Sequence, residues 1–141
     1  MPLLIVALIP LCRGQVVVSE VMWMGSDLST ADEWVELLST ATDATDIAGW
    51  TLTSLDGSGN EAVLMRFGSG TIVPQGSTFL IANYGAAASR LSMEPQAITT
   101  GMSLPNTKLF LRLRTSTGAI IDTVDDGVGA PFAGSNVSVP W

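Results

Sequence analysis

From Val16 onward, apolar runs of five to eight residues alternate with clusters of Gly, Ser, Asp, Asn and Pro. No window between these breaks sustains a helical period. The runs are rich in β-branched, aromatic and aliphatic side chains, the composition that suits a pleated, half-buried surface. They fall at Val16–Trp23, Glu33–Ser39, Trp50–Ser54, Ala62–Phe67, Ser77–Asn83, Lys108–Thr115 and Ala119–Val124. Strands this short, closed by turn residues this often, belong to an antiparallel sandwich or barrel rather than to a parallel sheet with crossover helices.

The turns and the alternation agree. Asp56-Gly57-Ser58-Gly59-Asn60 and Ser116-Thr117-Gly118 supply residues tolerant of positive φ between paired runs, and Pro74-Gln75-Gly76 fits a turn with Pro at its second position and Gly at its fourth. The stretch from Gly85 to Pro105 reads as a long connection, with room for one helical turn at the three alanines 86–88. In Lys108–Arg114, Leu109, Leu111 and Leu113 point one way and Lys108, Phe110, Arg112 and Arg114 the other, so the leucines are expected in the core. Trp50 and Leu52 are likewise expected inside, with Thr51 and Thr53 facing water. The expected fold class is all-β: an immunoglobulin-like, two-sheet antiparallel β-sandwich of about seven to nine strands.

Composition limits the chemistry. The 141 residues suffice for one domain with one core, and 47% apolar against 13% charged residues is a folding rather than a disordered composition. His is absent, which removes the commonest general base and the commonest metal ligand. A net charge of -7 repels nucleic acid and anionic membranes, so contact with a polyanion would need a local basic stripe. Pro2–Leu11 is an apolar run of signal-peptide length, too short to span a bilayer. Residues 1–14 are therefore expected to be an export signal cleaved before Gln15, the alternative being a mis-assigned start or a first buried strand. Cys12, the one cysteine, lies inside that segment, and Pro10 and Leu11 before it disfavour a lipid anchor. Residues 15–141 form the expected domain, and the abrupt end at Pro140-Trp141 suggests one piece of a longer protein.

Several segments carry a resemblance. Val18-Ser19-Glu20-Val21, Glu33-Trp34-Val35-Glu36-Leu37 and Asp46-Ile47-Ala48-Gly49-Trp50-Thr51-Leu52 resemble, in order, signposts of bacterial lamin-tail domains. Phe67-Gly68, Ile72-Val73-Pro74-Gln75-Gly76, Phe79-Leu80-Ile81-Ala82 and Gly118-Ala119-Ile120-Ile121-Asp122-Thr123-Val124 are similar to later ones, so the resemblance runs over about residues 16–137. Ser19 stands where the family usually has Asn, and Ser39-Thr40 departs from its usual pair. The resemblance implies an immunoglobulin-like sandwich that attaches or binds, found in bacteria in exported or surface proteins, without an activity of its own. It also implies that Glu20, Glu33, Trp34, Glu36, Asp46, Gly49, Trp50 and Asp122 are structural motif positions.

Each candidate constellation has a plainer reading beside it. Glu20, Glu33, Glu36 and Asp46 could act as acid and base or hold a hard cation. Glu20 is placed on the face of Val16, Val18 and Met22, and Glu36 on that of Trp34 and Leu38. The favoured reading is that they accept bonds from loop backbone or pair with Arg112 or Arg114. Asp56, Ser58 and Asn60, beside Glu61, could offer oxygens to calcium, but a polar hairpin turn explains them better, and Asp125-Asp126-Gly127 has the same ambiguity. Lys108, Arg112 and Arg114 hold three of the six basic residues, with Phe110 between them, and form the best candidate binding stripe. The tryptophans could stack on sugar rings, but Trp34 and Trp50 read as core or rim, and Trp23, between Met22 and Met24 before a Gly-rich loop, as the more exposed one. Asn136-Val137-Ser138 matches a glycosylation acceptor.

No catalytic residue and no cofactor is assigned. The expected function is a non-catalytic binding or attachment module of an exported or cell-surface protein, with protein or a cell-surface polymer as partner. Two alternatives stand beside it: a self-associating structural segment, or a carbohydrate- or calcium-dependent binder using Trp23 and the Asp56 loop.

Overall fold

The computed structural model describes residues 15–132. It contains β1 (Val16–Met22), β2 (Trp34–Ser39), β3 (Thr45–Asp46), β4 (Thr51–Leu55), β5 (Glu61–Arg66), β6 (Ile72–Val73), β7 (Thr78–Ala82), β8 (Ala97–Ile98), β9 (Leu111–Arg114) and β10 (Ile120–Val124), with one 3-10 turn at Ala86–Ala88. One sheet has the order β1-β2-β7-β8 and the other β10-β9-β4-β5, while β3 and β6 form a separate two-residue pair. All pairings are antiparallel except β7 with β8. All seven expected strands are present; β3, β6 and β8 are additions too short to leave a periodic trace in sequence.

Val35 and Leu37 of β2 and Ile81 of β7 join Leu52 of β4 and Leu111 and Leu113 of β9 in one core, each fully buried. Removing a leucine side chain of this kind from water contributes about 2 kcal/mol. The alternation expected for β9 holds for Leu111 and Leu113 against Arg112 and Arg114, and Leu109, just before the strand, is buried too, but Phe110, expected on the outer face, is 8% exposed and buried as well. The strand itself starts later than expected. Lys108 sits at φ 61°, in the left-handed region, and its N–H donates to the carbonyl of Gly129 rather than to a neighbouring strand.

β4 departs from the half-solvated strand expected of it. It is central, paired on both sides, and Thr51 and Thr53 are buried along with Leu52. Both threonines lie opposite arginines, Thr51 against Arg114 and Thr53 against Arg112, and long side chains on that outer face shield them from water. Trp50, expected inside, is only half-buried and packs against the edge of the core.

A bulge between Val18 and Glu20 changes which face each β1 residue takes. Val16 and Val18 lie opposite Ser39 and Leu37, whereas beyond the bulge it is Val21 that meets Val35. Glu20 therefore lies on the outer face, exposed and opposite Glu36, and not with Val16 and Val18 as plain alternation places it. β10 carries a matching irregularity between Ile120 and Asp122. There Asp122 Oδ2 accepts the Val18 N–H at 2.8 Å and ties the edge strand of one sheet to that of the other. The turn at residues 74–76 is shifted by one position from expectation: Ser77 N–H donates to Pro74 O, which puts Gly76 third, at φ 64°.

Two hydroxyls in this interior have no hydrogen-bond partner among the described residues. Ser39 lies on the β2 face of Val35 and Leu37, Ser54 opposite Leu111, and the Oγ of each is buried without a hydrogen bond. A buried donor left unmade carries its desolvation cost with no return. Ser39→Ala and Ser54→Ala are therefore expected to leave stability unchanged or raise it by up to about 1 kcal/mol in urea titrations, where most buried polar deletions destabilise.

Candidate functional site

The basic stripe is built but occupied. Arg112 and Arg114 stand on the outer face of β9, and Glu61, at the start of β5, reaches both: Oε2 to Arg112 Nη1 at 2.9 Å, Oε1 to Arg114 Nε at 2.7 Å. Thr53 Oγ1 adds a bond to Glu61 Oε1 at 2.7 Å. Hydrogen bonding from Arg114, reinforced by Thr53 and the charge of Arg112, outweighs partial burial and holds the Glu61 carboxyl at about 2. Phe110 is buried beneath this face, with the Arg112 guanidinium 4.6 Å from its ring centre. Lys108 is exposed but has left the strand, beside the loop Asp56–Gly59. The carboxylate partner expected for the arginines was Glu20, Glu33, Glu36 or Asp46; it is Glu61, which adjacency to the Asp56 loop had hidden.

The other motif positions hold backbone in place. Asp46 Oδ1 accepts the Ala48 N–H at 2.8 Å. Gly49 has φ 75°, and an added Cβ would lie 3.1 Å from that of Ser116, so the position needs glycine on both counts. Glu36 Oε1 accepts the Ser19 hydroxyl at 2.9 Å, and Trp34 is half-buried on the same strand. Asp56 Oδ1 accepts the N–H groups of Ser58 and Asn60 at 2.8 and 2.9 Å, the bonding of a polar hairpin turn. Asp125 and Asp126 likewise accept from Phe132 and Val128. Among the described residues no three Asp, Glu or Cys side chains gather where a metal ion could be held. Residues 1–14 with Cys12, and Asn136, lie outside the described residues.

Trp23, expected exposed, is 4% exposed and belongs to the core cluster. It forms one wall of a groove of about 250 Å³ between the β1 and β10 edges, with Val18, Val21, Leu109, Val124 and Phe132. Glu20 and Asp125 border the groove, and Phe132 at its side is 76% exposed.

A second polar group, unforeseen from sequence, lies where the loop before β2 meets the segment after β7. Asp32 is 2% exposed; its Oδ2 accepts Ser26 Oγ at 2.6 Å and Arg90 N–H at 2.9 Å, and its Oδ1 accepts the Ser89 hydroxyl. Burial alone would raise its pKa, but these donors together lower it. Asn83 donates to Ala31 O and Met102 O and accepts from Gly101 N–H, joining three segments. Glu33, beside Asp32, accepts one bond at its carboxylate, from Leu104 N–H at 3.0 Å, and burial pushes its carboxyl up to about 7. Asp32 precedes an apolar run and Asn83 ends one, so a polar residue at a strand terminus was the sequence cue available.

Two four-stranded sheets packed face to face, with their edges tied by a carboxylate, define an immunoglobulin-like β-sandwich. The model of the lamin tail domain matches residues 12–127, and the chain belongs to that family, whose members are generally non-catalytic modules. No curated protein matches the chain significantly. No helix among the described residues is long and apolar enough to cross a membrane.

Proposed function

We propose that the chain is a binding or attachment module of an exported or cell-surface protein, engaging a protein or a cell-surface polymer. The observation that carries this reading is the state of its chemistry-capable side chains: Glu61, Asp32, Asp122 and Asp56 each accept bonds from donors of their own chain. Carboxylates held in this way support architecture, and they leave recognition to surface shape. The groove between β1 and β10 supplies such a shape, with the apolar walls and polar border common at contact surfaces.

Phe132→Arg tests the reading, because Phe132 lines the groove and is 76% exposed, so the change places a charge at the groove without entering the core. In the full-length exported protein it is expected to reduce retention at the cell surface several-fold while the melting temperature of the domain stays within a few degrees of the parent. Robust turnover of an ester, glycoside or phosphodiester by the purified chain, absent from a denatured control, would overturn the proposal.

A further inference from the structure

A cleft separate from the groove has walls formed by Thr30, Ala31, Asn83, Tyr84, Thr100 and Met102, with Glu33 among its lining residues and a volume of about 550 Å³. Its walls are fixed, since the Asn83 carboxamide bridges the loop of Ala31 to the segment Gly101–Met102. Glu33 is 5% exposed and makes no ion pair among the described residues. A carboxylate so placed, with one backbone donor, lacks the cation that normally accompanies a buried negative charge.

The donor set selects among cations. A guanidinium binds best through both carboxylate oxygens, and Leu104 N–H already engages Oε2. Calcium takes six to eight oxygens with several carboxylates, and this cleft has one carboxylate. A primary ammonium is compact and carries three donors, so one carboxylate oxygen and neutral hydroxyls suffice. Thr30, Thr100, Ser103 and Tyr84 are hydroxyl-bearing residues lining the cleft, and Ala31 lines it with an apolar side chain. We propose that the Glu33 cleft is a recognition site for a lysine side chain of a partner protein.

Binding of this kind needs the ionised carboxylate. The other titratable group lining the cleft is Tyr84; Asp32 beside Glu33 is enclosed by its own donors, and Arg90 is paired with Asp27 at 2.6 Å. With the Glu33 carboxyl at about 7, lysine binding is expected to be about thirtyfold weaker near pH 5.5 than near pH 8, because a proton must leave first.

The test is an amide NMR titration of the full chain with Nα-acetyl-lysine methylamide in physiological salt at those two pH values. Saturable shifts at Glu33, Gly101 and Leu104 are expected, with the stated pH dependence, and none with the Nε-acetylated analogue. Glu33→Gln keeps an acceptor for Leu104 N–H, so its spectrum reports whether the fold is intact, and it should lose the response. Shifts that do not saturate, that persist in Glu33→Gln, or that the acetylated analogue reproduces would overturn the proposal. None of these results bears on the Phe132→Arg experiment, which concerns the other surface.

Discussion

Between about pH 4.5 and about pH 7 the domain is expected to lose roughly 3 kcal/mol of stability through Glu33, and Glu33→Gln should abolish that loss. The carboxyl titrates at about 7 in the folded chain against an ordinary 4.5, so within this window the folded state binds more protons than the unfolded state. Stability therefore falls as pH rises. Below the window both states are protonated and the effect vanishes; above it the full cost remains. Glu61 and Asp32 work in the opposite sense, their folded pKa values being depressed, so their contribution is present above the unfolded value and is lost only as pH falls through the folded one. Together they place maximum stability on the acid side of neutral. Urea midpoints across the range, for parent and Glu33→Gln, check this; parallel curves would contradict it.

Asp32→Ala is expected to cost about 3 kcal/mol, among the larger effects of any single change here. It removes the acceptor shared by Ser26, Ser89 and the Arg90 N–H, in a place where little water can replace it. Asp32→Asn should cost less, since an amide oxygen can still accept one or two of those bonds. The measurement is the shift in thermal midpoint of both variants near pH 7. Equal midpoints for parent and Asp32→Ala would show that the three donors find other partners.

The sandwich was legible because strand periodicity is local. The leucines of β9, the hairpin at Asp56–Asn60 and the motif positions Asp46 and Gly49 all derive from neighbours in sequence. The exceptions have specific causes. Bulges at Ser19 and near Ile121 shift the facing of every later residue in the strand by one position, and nothing in an alternating pattern marks where an extra residue is inserted. That is why alternation puts Glu20 on the wrong face and why the role of Asp122 in joining the sheets could not be read. Glu61 pairs with arginines more than fifty residues away, a distance over which spacing carries no information. Thr51 and Thr53 read as solvent-facing because their shield comes from β9. Trp23 looks exposed among methionines and glycine, yet it belongs to the core cluster with Leu109, from a segment more than eighty residues away. Asp32, Asn83 and Ser89 lie in or beside loops, where no period exists to flag a buried polar group.

The architecture depends on two sheets closing on each other with β1 and β10 tied at their edge. Native-state hydrogen exchange on the full chain tests this most directly, through the Val18 amide. That N–H belongs to an edge strand and donates to the Asp122 side chain of β10, in the other sheet, rather than to a backbone carbonyl. The prediction is protection at Val18 approaching that of Leu52, Leu111 and Leu113, and its loss in Asp122→Ala with the leucine amides still slow. A Val18 amide that exchanges as fast as an open edge in the parent chain, or leucine amides of β4 and β9 without protection, would contradict it.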